Sequence, residues 1–451
     1  MVRRWHTHRE SANAKTTEAL ALRQPECQPR RVANTVSTVV QDPLFTETGS
    51  TAMAAATAAW SGAVAAAHAG QSRVDPLRIA AGVRAANPHL PAELISSALT
   101  QARLRHRAIG RLGNEALELF LTPDGLEQAT RPAVADRRAR RLKAAGIDHV
   151  IDLGAGLGLD SRAFARAGLR VDAVESDPTT AAMLRANLAL FTETARVHDD
   201  DATVMAWRSL LTPTSACFVD PGRRANGRRL NQPESWSPPW SWLTAVGREW
   251  PATVAKLAPG IPRDLAPEGA QTVWTSDSGD LVEAAVWWPG LAGPEPRVAV
   301  VLRAGSSARL DSGQDVVPPV GALGRWLIEP DDAVIRAGLV GALAERIGGR
   351  LLDARVAYIT ADGDPGAAAP FARIWEALDW LPFSVNAVRK RLDSMGVSRI
   401  VVKKRAFAAD PDLIARSLHR VDGPGAHTLF LSRIGSSPWA IIAGPEVRSH
   451  D

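Results

Sequence analysis

A chain of 451 residues, 45% hydrophobic and 22% charged, is long enough for two or three domains with cores of their own. Its two cysteines, Cys27 and Cys217, are too few for a disulfide framework or a cysteine-based metal site, so a reducing, cytoplasmic setting is expected and no metal. The net charge of +5 and the pI near 9.7 favour an anionic partner such as nucleic acid, although the arginine, alanine and proline bias is also what a GC-rich genome produces.

Residues 1–42 show no sustained apolar period and are expected to form a flexible extension. Arg3 and Arg4 are not followed by an apolar core, so an export signal is not expected. Residues 43–145 read as a helical domain, with helical runs in TAMAAATAAWSGAVAAAHA, PAELISSALTQARLRHRAIG and EALELFL. Turn signals at Asp75-Pro76, Asn87-Pro88 and 122–125 separate them. The uncharged stretch 51–70 has the length of a membrane span, but it is mostly alanine and lacks the Leu, Ile and Phe that drive insertion. A helix packed on a core is expected there, and no membrane segment.

From residue 146 the pattern changes. HVIDLG (149–154), LRVDAVESD (169–177) and ACFVDPG (216–222) read as strands, alternating with the helices DSRAFARAG (160–168) and PTTAAMLRANLALF (178–191). This alternation predicts a parallel, doubly wound α/β domain over 146–305. Further strands are expected at 252–258, 281–288 and 297–303, the last two as an antiparallel pair at the sheet edge. Residues 325–379 read as a connecting region of helix and strand, in which 332–349 forms one helix with Ile335, Leu339, Leu343 and Ile347 on one face. A small α+β module over 380–447 closes the chain.

Three glycines at every second position, Gly154, Gly156 and Gly158, follow the first of these strands, where a parallel sheet presents a ligand crevice. A dinucleotide fingerprint needs its third glycine at 159, which is Leu. Asp152, two residues ahead of the glycines, would repel a pyrophosphate and favour a cation. Glu175 ends the next strand, where a carboxylate accepts hydrogen bonds from ribose hydroxyls. Together these favour S-adenosylmethionine over a nicotinamide cofactor.

In these residues the chain resembles the class I S-adenosylmethionine-dependent methyltransferases, whose first motif has the form D-x-G-x-G-x-G. The resemblance implies that Asp152 and the glycines line the methionine portion, that Glu175 takes the ribose with Asp177 nearby, and that Asp201 and Ala202, in ARVHDDDA, meet the adenine. Three adjacent aspartates also suit a solvated turn. VDPGRR (219–224) falls where such enzymes keep the loop that faces the methyl acceptor. There Asp220 would orient or deprotonate the acceptor, Pro221 would stiffen the loop, and Arg223 with Arg224 would grip a phosphate. Cys217 lies inside its strand and reads as core, which disfavours a cysteine nucleophile.

The run of VDPGRR, LAPGIP (257–262), SGDLVEAAVWW (278–288), EPDDAVIRAGL (329–339), LPFSVNAVRKRL (381–392) and SRIVVKKRAFAADPDLIARSL (398–418) resembles a bacterial methyltransferase group with a C-terminal THUMP-like domain. THUMP domains accompany RNA-modifying enzymes, so the resemblance implies an RNA substrate, tRNA among the candidates. Arg389, Lys390, Arg391, Lys403, Lys404 and Arg405 are the candidate phosphate contacts, against one nearby acid, Asp393. A second basic run, RRARRLK (137–143), precedes the first strand. The competing expectations are a methyltransferase acting on a protein or small molecule, and a non-catalytic RNA-binding protein with a relic cofactor fold.

Overall fold

The computed structural model describes residues 43–447 apart from positions 72, 226–227, 231, 409 and 419–424, so the extension expected over 1–42 lies outside the described residues. The helical region contains α1 (Glu47–His68), α2 (Pro76–Ala86), α3 (Ala92–Leu112), α4 (Pro123–Gln128) and α5 (Pro132–Ala144). Ala52, Met53, Ala56 and Trp60 of α1 pack with Leu94, Ile95, Ala98 and Ala102 of α3, so the alanine-rich stretch is one face of a helix pair. No described helix is long and apolar enough to cross a membrane. EALELFL departs from expectation: after a short turn at Gly113–Glu118 the chain runs extended. Side chains of α3 satisfy its backbone there, Gln101 through both polar groups to Leu121 (2.8 and 2.9 Å) and Arg105 to the Leu119 carbonyl (2.7 Å).

The first sheet begins with β1 (His149–Leu153), β2 (Arg170–Glu175), β3 (Ala195–Asp199) and β4 (Ser215–Val219), with α6 (Leu159–Arg166) and α7 (Pro178–Asn187) as crossovers. A two-residue ladder, β5 (Arg224–Ala225) with β6 (Arg228–Arg229), and α8 (Trp240–Glu249) lead to β7 (Thr253–Leu257). Then come β8 (Gln271–Asp277), β9 (Asp280–Trp287), β10 (Arg297–Arg303) and β11 (Ser306–Asp311). The order is β11-β10-β8-β9-β7-β4-β1-β2-β3, parallel from β7 to β3. Chain direction across the sheet reverses between β1 and β4, which opens a crevice at their carboxyl ends.

The strands at 280–287 and 297–303 do not pair with each other, contrary to expectation. The partner of β9 is β8, through a hairpin whose turn residues Ser278 and Gly279 both have positive φ (55° and 89°), and β10 runs parallel to β8 on its other side. Polar residues conceal β8 in the sequence: Gln271, Thr272, Thr275 and Ser276 are all buried inside it.

The second sheet holds β12 (Trp326–Pro330), β13 (Arg350–Asp353), β14 (Val356–Ala361), β15 (Ala372–Pro382), β16 (Ile400–Lys404), β17 (His427–Ile434) and β18 (Ser437–Val447), ordered β13-β14-β12-β15-β18-β17-β16. β15 pairs with both β12 and β18, so a single sheet crosses the boundary drawn between 325–379 and 380–447. The helix expected over 332–349 is two, α9 (Asp332–Ala337) and α10 (Val340–Arg346), because Gly338 takes a left-handed conformation (φ 73°) that caps the first. Two further helices, α11 (Val385–Ser394) and α12 (Pro411–Ser417), pack Val388, Leu392, Ile414 and Leu418 with Leu429, Leu431 and Ile442 of this sheet. One apolar core runs from Ile151 and Cys217 of the first sheet to Ile328 and Ile374 of the second.

The helical region is fastened to the first sheet by a buried arginine. Arg138 of α5 is 2% exposed. It meets both carboxylate oxygens of Glu283 on β9 at 2.6 Å and pairs with Asp160 at the start of α6, whose other oxygen accepts from the Thr130 hydroxyl at 2.6 Å. Removing the cation leaves two carboxylates buried without their partner. Arg138→Met should therefore cost about 3–5 kcal/mol in a urea-unfolding experiment, and a loss below about 1 kcal/mol would contradict this account.

Candidate active site

The glycine turn sits at the crevice between β1 and β4. Gly154, Gly156 and Gly158 all have positive φ (91°, 56° and 77°), and the amides of Gly154 and Ala155 donate to the Val174 carbonyl (3.0 and 2.9 Å). Their reasons differ. A Cβ at Gly156 would meet open space, and one at Gly154 only the Asp220 carbonyl at 3.9 Å, so these two leave the backbone bare toward a ligand. A Cβ at Gly158 would stand 2.3 Å from Leu184, so this glycine lets the start of α6 close onto α7.

Above the turn lies a cavity of about 530 Å³. Its walls are the turn and Asp160, Glu175 and Ser176 after β2, Asp200 to Thr203 after β3, Asp220 and Gly222 after β4, and residues of α4 and the α4–α5 loop. Glu175 is fixed by two backbone donors, Gly156 to Oε2 and Asp177 to Oε1, both at 2.9 Å. The three aspartates after β3 separate: Asp199 pairs with Arg185 at 3.7 Å, whereas Asp200 and Asp201 line the cavity beside buried Ala202. The amide of Thr203, then its hydroxyl, bond to Asp201 Oδ1 (2.8 and 2.7 Å) and hold its carboxyl below the usual range.

Two acids expected at the cofactor sit elsewhere. Asp177 caps α7 through the amide and hydroxyl of Thr180 (2.8 and 2.6 Å) and is not a cavity wall. Asp152 is 1% exposed and lies behind the wall, because all five residues of β1 are enclosed by the sheet's two faces. Its Oδ2 accepts from the Ser161 hydroxyl at 2.5 Å and its Oδ1 has no partner. Burial first, then the charges of Asp160 and Asp220, push its carboxyl up to about 8. The acid that reaches the cavity from this neighbourhood is Asp160.

In the loop after β4 Asp220 pairs with Lys256 of β7. Lys256 is 7% exposed and also meets the Gln128 carbonyl (3.3 Å) and Asp160 (4.0 Å). Burial works against its charge, but the carboxylates of Asp220 and Asp160 outweigh it and raise the ammonium's pKa. In the sequence Lys256 shows only as a lone lysine inside the apolar run ATVAKLA. Pro221 is buried next to Asp220, and Gly222 exchanges both backbone hydrogen bonds with Ser237 (2.7 and 2.9 Å), which ties the VDPGRR loop to the approach of α8. Arg223 lines a smaller, adjoining cavity. Arg224 opens the β5–β6 ladder, and its side chain lies outside the described residues. Cys217 is fully buried and its thiol is pushed up to about 12 by burial, so this residue does not serve as a thiolate nucleophile.

The basic run of the last module is largely committed to the fold. Lys403 and Arg405 both pair with Glu329, and their charges lie over the rings of Trp375 (4.9 Å) and Tyr358 (5.4 Å). Arg391 pairs with Asp379, and Arg389 donates to the Ser417 carbonyl at 2.5 Å. Lys390 and Lys404 are exposed. Among the described residues no His, Cys, Asp or Glu group could hold a metal ion.

An open α/β sheet with a bare glycine turn and acids after its first three strands is the binding plan of a nucleoside-bearing, cationic cofactor. The comparisons agree. The chain is 33% identical over 345 residues to an uncharacterized S-adenosylmethionine-dependent methyltransferase of Mycobacterium tuberculosis, covering 74% of this chain and 91% of that one, and the same holds in a second strain. A crystal structure of a candidate methyltransferase from Porphyromonas gingivalis superposes with a TM-score of 0.65 at 20% identity, covering 80% of this chain and 92% of that one. A THUMP domain-like family model matches residues 372–445. The chain belongs to the S-adenosylmethionine-dependent methyltransferase family: it is an enzyme, and S-adenosylmethionine is its methyl donor.

Asp152 gives a pH test. The folded protein holds its proton up to about pH 8, whereas an unfolded aspartate releases it near pH 4, so this group withdraws stability as pH rises across that window. Without the donor, Asp152→Asn should melt higher than the parent protein at pH 8, with the two curves converging near pH 4. Parallel melting curves from pH 4 to 8 would refute the protonated state.

Proposed function

We propose that this methyltransferase acts on RNA, tRNA among the candidates. The observation that carries the reading is the union, around one continuous core, of a donor-binding sheet with a module matched by a THUMP-like model, since THUMP domains accompany RNA-modifying enzymes. In this reading Gly154 and Gly156 pass the methionine portion of the donor, Glu175 takes the ribose hydroxyls, and Asp201 with Ala202 meets the adenine. Asp152 acts through Ser161 and the turn, and Asp177 through the α7 cap that supports the Glu175 loop. Of the last module's basic residues, Lys390 and Lys404 present charge outward, while Arg389, Arg391, Lys403 and Arg405 shape the surface that carries them.

S-adenosylmethionine supplies a sulfonium methyl group to an acceptor lone pair. The chain's part is to orient the acceptor and receive its proton. Asp220, paired with Lys256, accepts a hydrogen bond from the acceptor's N–H or O–H and is placed to take the proton as positive charge grows there. Pro221 and the Gly222–Ser237 pairing keep that carboxylate from swinging away.

RNA from cells lacking the protein should take up labelled methyl from the donor, with the product nucleoside read by mass spectrometry. Asp220→Asn should lower kcat by about 10²–10⁴ with donor affinity held, and Glu175→Ala should weaken donor binding about 10- to 100-fold in calorimetry. Label entering protein but not RNA would overturn the substrate, and unchanged donor affinity in Glu175→Ala would overturn the ribose contact.

A further inference from the structure

The smaller cavity beside the donor site has a volume of about 190 Å³ and shares Gln128, Ala129, Thr130 and Lys256 with its larger neighbour. It lies along the carboxyl lip of the sheet on the acceptor side, over the ends of β4 and β7. Three guanidinium groups line it: Arg111 from the last turn of α3, Arg131 from the start of α5, and Arg223 from the loop after β4. With Lys256 these make four cations, against the carboxylates of Glu127 and Glu283.

The partners of these groups show how the site is built. Both oxygens of Glu283 accept from Nη2 of Arg138, so it is not a free anion in the cavity. Arg131 is anchored from behind by Asp277 (3.3 Å) and Asp280 (2.5 Å) of the β8–β9 hairpin. Arg111 donates to the Glu127 carbonyl at 3.0 Å, a neutral acceptor. Burial first and the like charge of Arg131 second lower its pKa, only partly offset by the Glu127 carboxylate, so two guanidiniums are held near each other at a polar hollow. Such a hollow gains most from an anion with several acceptor oxygens, because each guanidinium presents a fork of N–H donors.

We infer that this cavity seats a phosphate of the methyl acceptor, with Arg111, Arg131 and Arg223 as its donors and Lys256 linking it to Asp220. At about 190 Å³ against 530 Å³ it is far smaller than the donor site, which suits a phosphoryl group better than a nucleoside. The helical region thereby acquires a role in recognition: α3 and α5 supply two of the three arginines. The inference rests on the RNA reading for its source of phosphate, but not for its chemistry. Seating a backbone phosphate beside Lys256 fixes the attached nucleotide's reach to Asp220, so the base, not the phosphate, approaches the donor.

Two experiments test it. Crystals of the protein with S-adenosylhomocysteine, soaked in tungstate, should show an anomalous peak in the cavity that disappears in Arg111→Ala. In methyl transfer to RNA, Arg111→Ala should raise KM about 10-fold with kcat held and flatten the dependence of log affinity on log salt by about one contact. Donor affinity and melting temperature should stay within error of the parent, and Arg111→Lys should recover part of the KM. A tungstate peak in a protein that methylates no RNA keeps the phosphate seat and removes RNA as its source, leaving a smaller phosphorylated acceptor. RNA methylation with no peak and an unchanged KM in Arg111→Ala overturns the seat and leaves the substrate reading standing.

Discussion

The site depends on a chain of charges, buried through Glu283, Arg138, Asp160 and Lys256 and ending at half-buried Asp220. It joins α5 of the helical region, the start of α6 next to the glycine turn, β9, β7 and the loop after β4. Burying ions costs several kcal/mol each, and well-packed apolar side chains of the same volume are often no less stable. What the chain of charges contributes is position, because a carboxylate held by fixed donors cannot rotate out of register. Asp160 is held by Arg138 and Thr130, and Asp220 is held by Lys256. The cavity wall at Asp160 and the loop after β4 are thereby placed relative to each other by side chains on five separate segments.

The same chain sets the local potential. Two cations face three carboxylates, so the network carries a negative excess, and Asp152 lies beside it with a carboxyl that burial and the neighbouring acids keep protonated. A sulfonium is a cation with little capacity for hydrogen bonding, so a fixed negative surplus stabilises it without competing for specific contacts. After transfer the sulfur is neutral, and that attraction is withdrawn. A negative surplus at this wall suits a cationic donor better than its neutral product, and of the two aspartates it is Asp160, not Asp152, that lines the cavity.

How much of this was legible follows from what each signal measures. The alternation of strand and helix from 149 to 222 reports chain direction and burial, and the parallel half of the sheet follows it closely. Glycine spacing reports backbone conformation, and all three positive φ values are present. Side-chain destination is a tertiary property, and there the sequence was silent: Asp152 points into the sheet and not into the crevice, and Lys256 looks like an interruption in a core strand. β8 is hidden because a strand enclosed on both faces here carries buried Thr, Ser and Gln, Gln271 satisfied by Arg141 and the Glu295 carbonyl and the Ser276 hydroxyl left without a partner. The boundary near residue 380 was drawn where helix replaces strand, yet β15 is an eleven-residue strand that spans it, and the register to β12 and β18 is set by residues far apart in the chain.

Density of positive charge along a sequence is a poor guide to positive charge on a surface. In RRARRLK, Arg138 is the buried hub of the ion network, and Arg141 lies 3.7 Å over the ring of Trp287 while donating to Gln271 and the Leu291 carbonyl. Farther along, Lys403 and Arg405 close on Glu329 beside a second polar cavity of about 590 Å³, where Arg373 is likewise taken by Glu446. Both basic runs thus hold the fold together at the places where elements meet. Arg111, Arg131 and Arg223 come from three separate segments, and only the fold brings them to one hollow. A polyanion can bind any basic tail, whereas the proposed seat for a single phosphate needs cations that arrive from different directions, as these three do.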